Sequence, residues 1–488
     1  MTLVTIQPDF VFGACSDADR KANWALFKKL CDEQKLHGGT IDLGNEVIEI
    51  LHTDKELVRL EAGHKLNIKG DGYKMIFYPF TPRPGYNYVF DLAYGSELSL
   101  TGGEMSLAER QVHATGSNPE VFTLINAFTE WVVTGPDTVI NLTDAKFENW
   151  KTPINISSGA FKINLKGTVE INNAEIAMAI FARSQLNHQS ILGHDATLVL
   201  RNNGVKLPND IYGSGAYIHP TVIVQIDKVR GYNNQAFTFR QFSSSIEVVC
   251  PDDYQSWIHD FQCEGSMEGD LRTSNCMPFV LDYYKGDSVL SPGGNLILKE
   301  GEIGAINFTS LFHPPDNIAS FIQINKAIVT KKVSVSWPKL VAEFADVEFN
   351  DCTFPTQPVD QGPKIYAGMA PVKSITLNRC KFKKVDENPA GALILTAGFL
   401  AVNLNEITTD LINGVFLQQN ITQTQPPFDK VTIHIDHSWI NTSNFYNDNP
   451  NSPRFLPGQI QGVDTEVLNY FDWKTRKLIK LEGSWSVP

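Results

Sequence analysis

Seven cysteines are spread over 488 residues, with no closely spaced pairs among them. A disulfide framework calls for paired spacings in a short exported chain, so these thiols read as reduced, in a protein made in a reducing compartment. Basic residues are also scarce: 41 Lys and Arg stand against 54 Asp and Glu, a formal net charge of −13. A nucleic-acid binder displays a basic face, and this deficit argues against one. No apolar run approaches the ~20 residues that cross a bilayer as a helix, and no membrane contact is expected. Residues 1–10 carry neither a basic start nor a hydrophobic stretch, so an export signal is not expected. The nucleophile elbow, the P-loop, the dinucleotide fingerprint and a His-x-x-x-His pair are all missing, and no cofactor is expected.

What is present is a repeat. Counting its first residue as zero, apolar or small residues fall at offsets zero, two, five and seven. The clearest examples are Ile140-x-Leu142 with Ala145-x-Phe147, Val169-x-Ile171 with Ala174-x-Ile176, Val347-x-Phe349 with Cys352-x-Phe354, and Ile375-x-Leu377 with Cys380-x-Phe382. Looser examples start at Leu66, Leu98, Leu198, Val224, Leu296, Ile322 and Ile433. A spacing of two is one face of a strand. The odd step between the pairs means that the chain bends while both pairs still point inward. Asn350-Asp351 and Asn378-Arg379 sit at that bend, and Asn and Asp tolerate a left-handed backbone. A period of roughly 25–30 residues signals a solenoid, a propeller or an array. β-branched and aromatic content excludes helix-pair repeats, and the Leu ladder of leucine-rich repeats is missing. One bent double strand per repeat fits a coil better than a four-stranded blade.

The start of the chain differs. Phe12-Gly13-Ala14-Cys15-Ser16-Asp17 leads into a helical pattern with Ala22, Leu26, Phe27 and Leu30 on its apolar face. Ser16 and Asp19 have capping-box spacing, and Gly38-Gly39 is the expected stop. Thr40-Ile41-Asp42-Leu43 and Val47-Ile48-Glu49-Ile50 then read as strands. Such a helix can cover the open end of a strand stack. This order resembles the N-terminal cap of the pectate-lyase-like right-handed parallel β-helix superfamily, to which bacteriophage tailspikes and capsule depolymerases belong. It departs from that pattern at Leu43-Gly44-Asn45, where a Pro-containing turn is commoner.

The resemblance implies an all-β chain: a right-handed, single-stranded parallel β-helix with an N-terminal helical cap and a small C-terminal β region. The expected divisions are a cap over 1–60, the β-helix over 61–440 with insertions near 101–139 and 245–292, and a trimer-closing region over 441–488. It also implies a homotrimeric virion spike in the phage tail, made in the host cytoplasm. Other tail proteins would hold its N-terminus, and its partner would be a bacterial surface polysaccharide, capsule or lipopolysaccharide, which it binds and cleaves. Two alternatives stay open: a non-catalytic receptor-binding or structural spike of the same fold, and a cellular polysaccharide lyase.

Excursions from a repeat often form the binding face. The longest break lies between Val224 and Leu296. It holds Asp253, Asp260 and Glu264, interleaved with Tyr254, Trp257, His259, Arg272 and Tyr283. Glycoside hydrolysis needs two carboxyl groups across the scissile bond, and sugars stack on aromatic rings. Asp253, Asp260 and Glu264 are therefore the candidate acids and bases. Tyr254, Trp257, His259, Arg272 and Tyr283 are the candidate substrate contacts. The competing reading is a solvated acidic loop. Cys250, Cys263 and Cys276 with His259 match no close-paired zinc motif, and no metal is expected. Arg379, Lys381, Lys383 and Lys384 form an outward basic row, read as surface protection before anion binding. Glu148 with Trp150 is a smaller candidate. Cys352 and Cys380 should stack inside as free thiols.

Overall fold

The computed structural model describes residues 5–486 except 7–8, 14, 53–57, 80–85, 110–120, 128–136, 157–159, 181–188, 205–215, 219–221, 235–236, 240–255, 265–270, 274–278, 291–295, 310–319, 337–344, 356–363, 368–371, 385–393, 396–398, 411, 419–431, 448–458, 473–474 and 476. Over the described residues the chain is nearly all β, a right-handed parallel β-helix with one N-terminal helix. It divides into two compact units, Met1–Asp270 and Leu271–Pro488.

The helix Asp17–Gln34 opens the first unit, and Ser16 and Asp19 close the expected capping box. Its buried face is Asn23, Trp24, Phe27, Leu30, Cys31 and Gln34. Ala22 is exposed and Leu26 only half-buried, so the stripe is rotated from the expected one. An amide turns it: Asn23 exchanges two 2.9 Å hydrogen bonds with the backbone of Val11 and donates a third to the Glu49 carbonyl at 2.9 Å. A buried amide with its bonds made is tolerated where hydropathy alone would place it outside.

Three parallel sheets follow. Ile41, Ile68, Leu100 and Leu142 stack inward in the first sheet. Ile48, Met75, Met105, Phe147 and Ile171 stack inward in the second. Val58–Leu60, Tyr86–Leu92, Val121–Ala127, Thr152–Ile156 and Met178–Ile180 belong to the third. The stretch between Leu98 and Ile140 therefore contains a regular third-sheet strand.

The register corrects two alignments. Phe147 pairs with Ile171, and Ile140 with Ile163, so Val169-x-Ile171 continues the second sheet rather than the first. Val224 stacks on Ile191, while the partner of Leu198 is Val229. The cause is corner length. Lys166-Gly167-Thr168 is one residue longer than Thr143-Asp144, and the two inward pairs of a coil look alike once that residue is miscounted. Gly167 suits the corner: at φ +63° it passes Asp144, whose carboxylate oxygen lies 2.1 Å from where a Cβ would be and would have to move for any larger residue.

In the second unit the alignment holds. Leu296, Ile322, Val347, Ile375, Val402, Ile433 and Ile460 stack in register. After each pair from Ile322 onward comes a left-handed residue: Lys326, Asp351, Arg379, Glu406, His437 and Asp464 all have positive φ. Asn325, Asn350, Asn378 and Asn405 precede four of them and form a ladder. Each amide donates to the oxygen of the rung below, at 2.9, 2.8 and 2.7 Å, and Asn325 donates to the Leu298 carbonyl at 2.8 Å. Inside run Phe354, Phe382, Phe416 and Phe445, with ring centroids 5.1, 6.0 and 5.9 Å apart. The parallel stack continues past Ile440: Ile460–Val463 lies on Thr432–Asp436, and Glu466–Asp472 on Trp439–Ile440. The chain then reverses. Lys477–Leu481 pairs antiparallel with Glu466–Asp472, and Trp485–Ser486 antiparallel with Ile460–Val463. The Trp485 ring covers Gly462, where a Cβ would come within 2.4 Å of it.

Candidate functional site

The strand Ser256–Glu264 lies on Ile223–Tyr232, with Trp257 over Gln225, Asp260 over Lys228 and Glu264 over Tyr232. Ile258 and Phe261 are buried, and the odd step between them marks a corner. That corner turns His259 outward, while Trp257 and Asp260 stay half-buried. The indole of Trp257 stacks on His259, centroids 4.1 Å apart with planes at 22°. The His194 ring, from the strand two coils below, lies 5.4 Å from the same indole. Asp227 stands beside them: its carboxylate is 4.0 Å from His259 Nε2 and accepts the Asp195 backbone N–H at 2.6 Å.

Asp260 is differently placed. One oxygen meets Arg230 Nη2 at 2.5 Å, and the other accepts Gln262 Nε2 at 2.9 Å. Arg230 also donates to the Asp260 carbonyl at 3.1 Å. With both oxygens engaged, Asp260 stitches two coils together and holds the corner. Glu264 is exposed, and its backbone carbonyl accepts the Asn233 N–H at 2.7 Å.

Of the residues singled out by sequence, the first unit thus gathers Trp257, His259 and Asp260 at one corner, with Glu264 further along the same strand. Asp253 and Tyr254 lie outside the described residues, as do Cys250 and Cys276, and so does the side chain of Arg272. Tyr283 belongs to the second unit, half-buried and in register with Glu300. His194, Asp227 and Arg230 were missed. They sit on the preceding coils, and only the corrected register brings them beside Trp257, His259 and Asp260. Among the described residues no group of three or more His, Cys, Asp and Glu side chains is placed to hold a metal ion.

Of the smaller candidates, Trp150, Glu148 and Arg379 are engaged by neighbouring coils, and Lys381, Lys383 and Lys384 are exposed. Trp150 is buried, its Nε1 donating to the Met105 carbonyl at 2.8 Å. Glu148 pairs with Lys146 at 3.0 Å. Lys146 also reaches Glu104 at 3.0 Å, and Lys74 reaches Glu104 at 2.8 Å. Burial pushes the Glu104 carboxyl up, but the two lysines outweigh it and hold it below its ordinary range. Arg379 is bound through two bonds, 2.7 and 3.0 Å, to Asp351 of the preceding coil.

Compared with protein-family models, with curated proteins and with solved structures, the chain finds no match in any of the three.

Proposed function

We propose that this chain is a tailspike of a bacteriophage that binds a bacterial surface polysaccharide, capsule or lipopolysaccharide, and depolymerises it during attachment. The parallel β-helix is compatible with polysaccharide-binding and depolymerase proteins. The observation that carries the reading is the corner formed by Trp257, His259 and His194 with Asp227 beside them. It combines ring surface for a sugar face with polar groups for its hydroxyls. Cleavage calls for a carboxyl pair. Asp253 and Glu264 are the foremost pair, since both oxygens of Asp260 are engaged in holding the corner. The active form is a homotrimer in the virion. The apolar C-terminal residues Val463 and Leu478, 48 % and 57 % exposed, support chain association there, and the N-terminus joins other tail proteins.

The test incubates the purified protein with host capsule and lipopolysaccharide and analyses the glycan by mass spectrometry. Shortened chains with added water identify a hydrolase, and unsaturated ends a lyase. Bound but intact glycan favours the non-catalytic spike. Absence of binding to any surface glycan of the host overturns the reading. Asp253→Asn and Glu264→Gln should each lower turnover by orders of magnitude, and Trp257→Ala should weaken binding with the trimer intact.

A further inference from the structure

The geometry points to a latent disulfide between Cys352 and Cys380, formed by oxidation of the folded protein. Both thiols are free and buried, 1 % and 0 % exposed. They occupy the same inward corner of consecutive coils: Thr353 pairs with Lys381 and Phe354 with Phe382, and the Lys381 N–H donates to the Cys352 carbonyl at 2.9 Å. Neighbouring parallel strands run about 4.8 Å apart, inside the Cα separation of about 4.4–6.8 Å that a disulfide spans. The side chains have matching environments. Cys352 Sγ faces the Asn350 and Ile324 carbonyls at 3.3 and 3.4 Å, and Cys380 Sγ faces the Asn378 and Phe349 carbonyls at 3.4 and 3.5 Å. Ala327 and Ile407 hold the corresponding places below and above, so each thiol has one sulfur neighbour in this column.

The oxidant is a peroxide, small enough to reach a buried site. One thiol is oxidised to a sulfenic acid while the peroxide O–O bond breaks and releases water. The neighbouring sulfur then attacks the sulfenic sulfur, the S–O bond breaks, and hydroxide leaves as water with the second thiol's proton. Two thiols and one hydrogen peroxide become one disulfide and two waters. In a reducing compartment the pair stays open; outside it, the bond fastens one coil to the next.

The test exposes the folded full-length chain to hydrogen peroxide and maps its peptides. The expected result is a cross-linked peptide containing Cys352 and Cys380, lighter by two hydrogens, released by reductant and accompanied by a higher Tm. Cys352→Ala and Cys380→Ala should each abolish the cross-link and the Tm rise while keeping the untreated Tm close to that of the parent. Thiols that stay alkylatable only after unfolding, or separate sulfinic acids at the two positions, would overturn the proposal.

Discussion

Lys364 is the most perturbed amine among the described residues and gives the sharpest test of the fold. It is 4 % exposed, and its Nζ donates to the Thr330 carbonyl at 2.8 Å. Burial lowers its pKa from the ordinary 10.5 to about 7. A shift of that size corresponds to about 5 kcal/mol of preference against the charged form in the folded chain. The unfolded chain keeps the proton up to pH 10.5, whereas the folded chain loses it near 7. Between those values the unfolded state binds more protons, so the Lys364 contribution makes stability rise with pH. Its cost is full below pH 7, shrinks from there upward, and vanishes above 10.5. Lys364→Met keeps the aliphatic length and removes the charge, losing one hydrogen bond worth about 1 kcal/mol. The variant should therefore be more stable than the parent at neutral pH, by about 3 kcal/mol, and the gap should close toward about pH 9.5. Urea unfolding of both proteins across that range measures it, and the difference between the curves cancels every other titrating group. Parallel curves would refute a buried neutral lysine. So would a variant less stable than the parent at neutral pH.

The packed interior and the outer face should respond in opposite ways. Phe354→Asp places an unpaired charge between Phe349 and Phe382 and should cost several kcal/mol, read as a large fall in Tm, while Thr353→Asp, outward beside Lys381, should be nearly neutral. Asn378→Leu breaks the amide ladder, orphans the Asn350 oxygen and the Asn405 amide, and should cost about 2–4 kcal/mol in urea unfolding. Light scattering at micromolar concentration should return three chain masses, and a single-chain mass would remove the trimer from the proposal.

Much of the coil is legible in the sequence. Val347-x-Phe349 with Cys352-x-Phe354, and Ile375-x-Leu377 with Cys380-x-Phe382, are buried as their spacing requires. Asp351 and Arg379 take the left-handed backbone expected at the bend. The helical cap was legible from Ser16 and Asp19, though its buried face was not, because Asn23 is buried by hydrogen bonds that hydropathy does not register. The candidate site was half legible. Trp257, His259 and Asp260 stood out by composition, but His194, Asp227 and Arg230 did not.

The sequence by itself determined that the chain coils, because inward residues answer to one demand, exclusion of water, and that demand leaves a period. Only the tertiary structure decided the register of the first unit, since corners of different length shift one inward pair onto the next without changing its appearance. It also decided which outward side chains meet. Outward positions carry no hydrophobic period, so the meeting of His194, Asp227 and His259 across successive coils is set by stacking alone.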